Sequence, residues 1–109
     1  MKRSVLITGC SSGIGLHTAR QLHADGYQVI ASARNPEDVE KLRQQGLTAI
    51  QLDLDDSDSI CRAVAKTLSI TNGELYALFN NGAYGQPGAV EDLSRDVLRT
   101  QLETNLLGW

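Results

Sequence analysis

Cysteine, proline, aromatic side chains and long apolar runs are all scarce in this chain, and each scarcity narrows what it can be. The two cysteines, Cys10 and Cys61, form no C-x-x-C pair and no disulfide framework, so a reduced, cytoplasmic setting is the expectation. The longest apolar stretches, such as Ser4–Thr8 and Val29–Ala33, are strand-sized and too short to cross a bilayer. Met1-Lys2-Arg3 is followed by only a few apolar residues before Thr8-Gly9, which argues against a secretory signal. Positive charge is not in excess. A net charge of -3 without clustered Lys and Arg excludes a nucleic-acid or polyanion surface. His17 and His23 have no carboxylate or cysteine at ligand spacing, so no metal site is expected.

What is present is a regular alternation. Ser4–Thr8 is apolar and β-branched without a polar alternate, which predicts a strand buried on both faces. A glycine-rich turn leads into a helix from about Ile14 to Ala24, with Ile14, Ala19 and Leu22 as its apolar positions and Asp25-Gly26 closing it. Gln28–Ala33 is a second buried strand. Asn35-Pro36-Glu37-Asp38 opens a second helix, which stops near Gly46. Thr48–Leu52 is a third strand, and Asp56–Leu68 a third helix carrying Ile60, Val64 and Leu68. Leu75–Phe79 is a fourth buried strand, and after the loop 80–92 a last helix runs from Ser94 with Leu98, Leu102 and Asn105 on one stripe. Such alternation with short connections gives parallel strands joined by right-handed crossovers, in a single α/β domain over residues 1–109.

The first strand–helix junction reads Thr8-Gly9-Cys10-Ser11-Ser12-Gly13-Ile14-Gly15. Glycines there let the chain turn sharply and let backbone N–H groups approach a pyrophosphate, with the helix N-terminus adding partial positive charge. The spacing is G-x-x-x-G-x-G rather than G-x-G-x-x-G. A phosphate-binding NTPase loop is excluded because no Lys follows the glycines. Gly9, Ser11, Ser12, Gly13, Ile14 and Gly15 are therefore the first candidate cofactor residues.

Thr-Gly-x-x-x-Gly-x-Gly at this place is similar to the cofactor motif of the short-chain dehydrogenase/reductase family, and Val5–Leu16 resembles its hydroxysteroid and retinol dehydrogenase members. The resemblance runs along the whole chain in order. It implies the first half of a Rossmann-type doubly wound parallel sheet, strand order 3-2-1-4, and hydride transfer between a nicotinamide cofactor and a small-molecule alcohol or carbonyl. A homo-oligomeric parent is implied as well.

The end of the second strand selects between NAD and NADP, since it lies beside the adenosine ribose. A carboxylate there would accept a bond from the 2′-hydroxyl and repel a 2′-phosphate; here Ala33 stands in its place and Arg34 follows. That favours NADP(H) over NAD, with Arg34 and the Ser12 hydroxyl on the phosphate; a solvated surface arginine is the plain alternative. By resemblance, Asp53 accepts from the adenine amino group and Leu54 packs on the ring, while Asp55 and Asp56 read as acids opening a helix.

Asn80-Asn81-Gly82-Ala83 departs from the family's Asn-Asn-Ala-Gly by exchange of its last two residues. The resemblance gives Asn80 the task of bracing the sheet and turns Asn81 and Gly82 toward the cofactor ribose; a generic Asn-Gly turn is the alternative. Asn105, in Asn105-Leu106-Leu107-Gly108, resembles the family's catalytic-relay asparagine; a structural asparagine at a helix bend is the alternative. The family's proton donor is not here: Tyr27, Tyr76 and Tyr84 are followed four residues on by Ala31, Asn80 and Gly88, so none begins Tyr-x-x-x-Lys. The expectation is a front portion of a longer enzyme, inactive alone. A non-catalytic nucleotide-binding or interaction module is the competing reading.

Overall fold

The computed structural model describes residues 2–109. Four parallel strands, β1 (Ser4–Ile7), β2 (Gln28–Ala33), β3 (Thr48–Gln51) and β4 (Ala77–Phe79), form one sheet in the order β3-β2-β1-β4. Helices α1 (Gly13–Ala24), α2 (Pro36–Gln44) and α3 (Ser57–Ile70) make the crossovers, and α4 (Arg95–Leu102) continues into a wider turn over Glu103–Leu107.

The strand pleat sorts the apolar side chains into two layers. Val5, Ile7, Val29, Ala31 and Ala33 point to one face, where Ala19, Leu16 and Leu22 of α1 and Val39 and Leu42 of α2 cover them. Leu6, Ile30 and Ile50 point to the other, beneath Ile60 and Ala63 of α3. β1 is buried throughout, as its unbroken apolar run predicts.

Several expectations need correction. Ile14 is not on the packed face of α1 but 70% exposed at the helix start, where the buried first-turn residue is Gly15. On α3 the buried row is Ser59, Ala63 and Thr67, and Val64 and Leu68 are exposed. The apolar row Ile60–Val64–Leu68 lies one position round the helix, about 100° away, so only its Ile60 end reaches the core. Ser59 and Ala63 are small, which lets α3 lie close on the sheet. β4 begins at Ala77 rather than Leu75, and its Leu78 is 50% exposed, so it is not buried on both faces; as the outer strand it leaves the open edge that the order 3-2-1-4 implies. Leu98 and Leu102 on α4 are likewise exposed. Among the described residues, no helix is long and apolar enough to cross a membrane.

Candidate cofactor cleft

All four strands point their carboxyl ends at one edge of the sheet, and the segments leaving them enclose a cleft of about 210 Å³. Its walls carry Ser11 from the glycine turn, Arg34, Asn35 and Asp38 after β2, Asp53 and Leu54 after β3, and Gly82 and Tyr84 after β4. This is the place where open α/β sheets bind ligands. The volume is below the roughly 300–1,000 Å³ of whole-ligand pockets, so the cleft is sized for part of a dinucleotide. A larger groove of about 630 Å³ opens at the opposite strand ends, between Tyr27 and Tyr76, away from every candidate residue.

Backbone geometry explains the glycines. Gly9 and Gly13 adopt positive φ, +69° and +60°, which L side chains rarely take. A Cβ on Gly15 would collide with the Gly9 carbonyl oxygen and lie 2.7 Å from Asn81 Nδ2. The turn therefore folds back on itself and packs against the β4 exit.

The N-terminus of α1 differs from the other helix starts. Ser12 occupies the cap position, but its Oγ accepts from no first-turn N–H, and the first turn carries no acid. By contrast, α3 is capped by Asp56, whose Oδ1 accepts from Asp58 and Ser59 N–H, as expected for a helix-opening acid. Ser94 caps α4 in the same way, and α2 starts with Pro36 followed by Glu37 and Asp38. The first-turn N–H groups of α1 are thus left for an external anion, and the positive helix end has no carboxylate against it. A pyrophosphate fits this donor set.

Arg34 lies at the end of β2 on the cleft wall, exposed, with its carbonyl accepting from Gln51 Nε2 at 3.1 Å. The serine that lines the cleft with it is Ser11, and the exposed Ser12 is not among the lining residues. Asp53 and Leu54 line the cleft as expected, and Asp53 N–H donates to Ser59 Oγ at 2.9 Å.

The asparagine pair is the other correction. Asn81, not Asn80, braces the sheet: its Nδ2 donates to the carbonyls of Thr8 (3.1 Å) and Gly9 (3.2 Å). Thr8 Oγ1 accepts from the N–H groups of Asn81 (3.0 Å) and Gly82 (2.8 Å), so side chains cross between the two strand exits in both directions. With both Nδ2 protons spent on β1, the Asn81 amide is a structural tie, and Gly82 alone of the pair lines the cleft. The exchanged Gly82-Ala83 order fits locally: a Cβ at Gly82 would lie 2.8 Å from Leu54 Cδ1, whereas Ala83 is exposed.

Asn105 lies in the wide turn after α4. Its Oδ1 accepts from Tyr84 N–H (3.0 Å), and its Nδ2 donates to Tyr84 O and Gln101 Oε1 (2.8 Å each). Gln101 Nε2 also donates to Tyr84 O at 3.2 Å. The two amides fix the loop that forms the cleft wall, but Asn105 itself does not line the cleft. Gly13, Ile14, Gly15 and Asn80 are also off its walls. Sequence reasoning passed over Thr8, Asn35, Asp38, Tyr84 and Thr104; only Thr8, a hydroxyl at a strand end, carried a local signal. Cys10 is fully buried with Sγ donating to Ile7 O at 3.3 Å, and burial pushes its thiol up from 9.0 to about 11 against a smaller lowering by a Ser32 backbone bond. It fills space.

The family model for short chain dehydrogenases matches residues 3–109. The chain belongs to the short-chain dehydrogenase family. It is 42% identical over 108 residues to the uncharacterized oxidoreductase YbbO of Escherichia coli, covering 99% of this chain and 40% of that protein. It is 35% identical to the NADPH-dependent 1-acyldihydroxyacetone phosphate reductase of Schizosaccharomyces pombe (98% of this chain, 36% of that one). Human retinol dehydrogenase 8 is 40% identical over 116 residues, with 97% and 36% covered. Among solved structures, a short-chain dehydrogenase from Streptomyces avermitilis superposes with a TM-score of 0.89 at 32% identity, over 99% of this chain and 40% of that one. An actinorhodin polyketide ketoreductase with NADPH gives 0.85 at 32% identity, over 98% and 43%. The chain spans about two-fifths of the length of these relatives.

Proposed function

We propose that this chain is the adenosine- and pyrophosphate-binding portion of an NADP(H)-dependent oxidoreductase that interconverts an alcohol and a carbonyl in a longer, cytoplasmic, homo-oligomeric parent. The observation that carries this is the uncapped N-terminus of α1 behind the glycine turn, together with Arg34, which lines one cleft with Gly9 and Ser11 of that turn and has no carboxylate within 4.0 Å among the described residues. Residues 1–109 make up its cofactor domain.

In this reading the glycine turn and the first-turn N–H groups of α1 hold the pyrophosphate, and Ser11 and Arg34 hold the 2′-phosphate by charge-assisted hydrogen bonds. Asp53 accepts from the adenine amino group while Leu54 packs on the ring. When bound, the nicotinamide supplies or takes the hydride. Gly82 and the Tyr84 loop, fixed by Asn105 and Gln101, form the wall toward the nicotinamide ribose. Asn105 belongs to the relay that delivers a proton to the substrate oxygen, and it acts through its position. None of Tyr27, Tyr76 and Tyr84 begins a Tyr-x-x-x-Lys, so the acid itself lies outside these 109 residues. The NADPH-dependent relative and the neighbour with NADPH support the choice of cofactor.

The test is a side-by-side assay of the parent and of residues 1–109 with NADPH against ketones, aldehydes, retinoids and steroids. The parent is expected to turn over and the 109-residue chain to show none. Turnover by the purified chain itself would overturn the assignment of the proton donor.

A further inference from the structure

Arg34 is not the only charged side chain at the ribose end of the cleft. Asp38, on the first turn of α2, lines the same wall four residues further on. The two do not pair with each other: among the described residues Arg34 has no carboxylate within 4.0 Å, and Asp38 meets only Lys41 Nζ, at 4.0 Å. Asn35 Nδ2 approaches Asp38 Oδ2 at a marginal 3.5 Å. The Asp38 side chain is 28% exposed, partly withdrawn from water on the cleft side of its helix. An uncommitted cation and a loosely held anion therefore face one small volume.

We propose that Asp38 is a cofactor-discriminating residue that opposes Arg34 and leaves the cleft able to take NAD(H) as well as NADP(H). This rests on the reading of the cleft as the adenosine site. The acid that would mark an NAD-binding strand end is missing at Ala33, but Asp38 restores a carboxylate from the neighbouring helix turn. Toward a free ribose its oxygens accept from the 2′-hydroxyl. Toward a 2′-phosphate, which carries between one and two negative charges near neutral pH, the same carboxylate is repulsive. Charges this near the surface interact weakly, and salt screens them, so the effect is a few-fold and fades at high ionic strength.

The experiment is titration of the full-length parent with NADPH and NADH, followed by fluorescence, for wild type, Asp38→Asn, Asp38→Ser, Asp38→Glu and Arg34→Ala. Asp38→Asn and Asp38→Ser are expected to tighten NADPH about two- to fivefold at low salt and to weaken NADH. Asp38→Glu should stay near wild type, and the gain should shrink in about 0.5 M salt. A purely helix-stabilising Asp38, favoured there by the α2 dipole, would lower the unfolding midpoint and leave the NADPH/NADH ratio unmoved. That result overturns the proposal. If Arg34→Ala still weakens NADPH selectively, the adenosine-site reading survives without Asp38. If neither Arg34→Ala nor Asp38→Asn changes the ratio, both readings fall.

Discussion

Thr8 and Asn81 are locked to each other in both directions: Thr8 Oγ1 accepts from Asn81 N–H at 3.0 Å, and Asn81 Nδ2 donates to Thr8 O at 3.1 Å. This reciprocal tie joins the exit of β1 to the exit of β4, and the glycine turn and the cleft wall hang from it. Gly82 N–H donates to the same Thr8 hydroxyl at 2.8 Å.

Replacing Thr8 by Val keeps the shape but removes the acceptor, leaving the buried Gly82 N–H unpartnered and Asn81 N–H with Phe79 O alone. The expected cost is about 1–3 kcal/mol of stability, the penalty for one orphaned buried donor. Urea unfolding of the full-length parent measures it. A loss under 0.5 kcal/mol would mean that the tie is incidental.

Gly15→Ala should disable the glycine turn, since its methyl meets the Gly9 carbonyl oxygen and Asn81 Nδ2 at once. Overpacking of this kind costs about 1–3 kcal/mol. If the turn holds the pyrophosphate as proposed, NADPH affinity should fall by at least about tenfold. Titration of the parent variant with NADPH reads this directly; wild-type affinity would contradict it.

Much of this was legible from residue order. The apolar runs at Val5–Ile7 and Val29–Ala31 and the glycine and proline punctuation give four parallel strands, while their order, β3-β2-β1-β4, is implied by the family resemblance. The cleft edge follows from the fold, and Arg34, Asp53 and Leu54 line it as their strand-end positions require. What failed depends on contacts distant in sequence. Which asparagine turns back to β1, and which serine lines the cleft, is set by backbone direction at a turn rather than by residue type. Helical spacing alone could not say that α3 buries Ser59, Ala63 and Thr67, because small residues are chosen for close approach to the sheet.

Cys10 offers a pH test. Its thiol is raised by burial from 9.0 to about 11 in the folded protein, so the protonated form is the one the fold accommodates. Stability from this group is complete below pH 9 and lost as pH rises to about 11, because the unfolded chain ionises first. The wild type should lose about 2–3 kcal/mol more than Cys10→Ala across that window. Iodoacetamide mapping at pH 8 should leave Cys10 unmodified. Rapid alkylation there would show that the thiol is reachable.

The open edge of β4, with Leu78 and Tyr76 exposed, should make the 109-residue chain associate on its own. Light scattering after size exclusion is expected to show dimers or larger species at micromolar concentration. A monodisperse monomer with a high unfolding midpoint would contradict this.

The most direct test of the central claim is the affinity of Arg34→Ala for the two cofactors in the full-length parent. If Arg34 holds the 2′-phosphate, the loss of charge-assisted bonding, about 1.5–3 kcal/mol, should weaken NADPH roughly tenfold to a hundredfold. NADH, which has no such phosphate, should barely change. Equal weakening of both cofactors, or of neither, would contradict the assignment of this cleft to NADP(H).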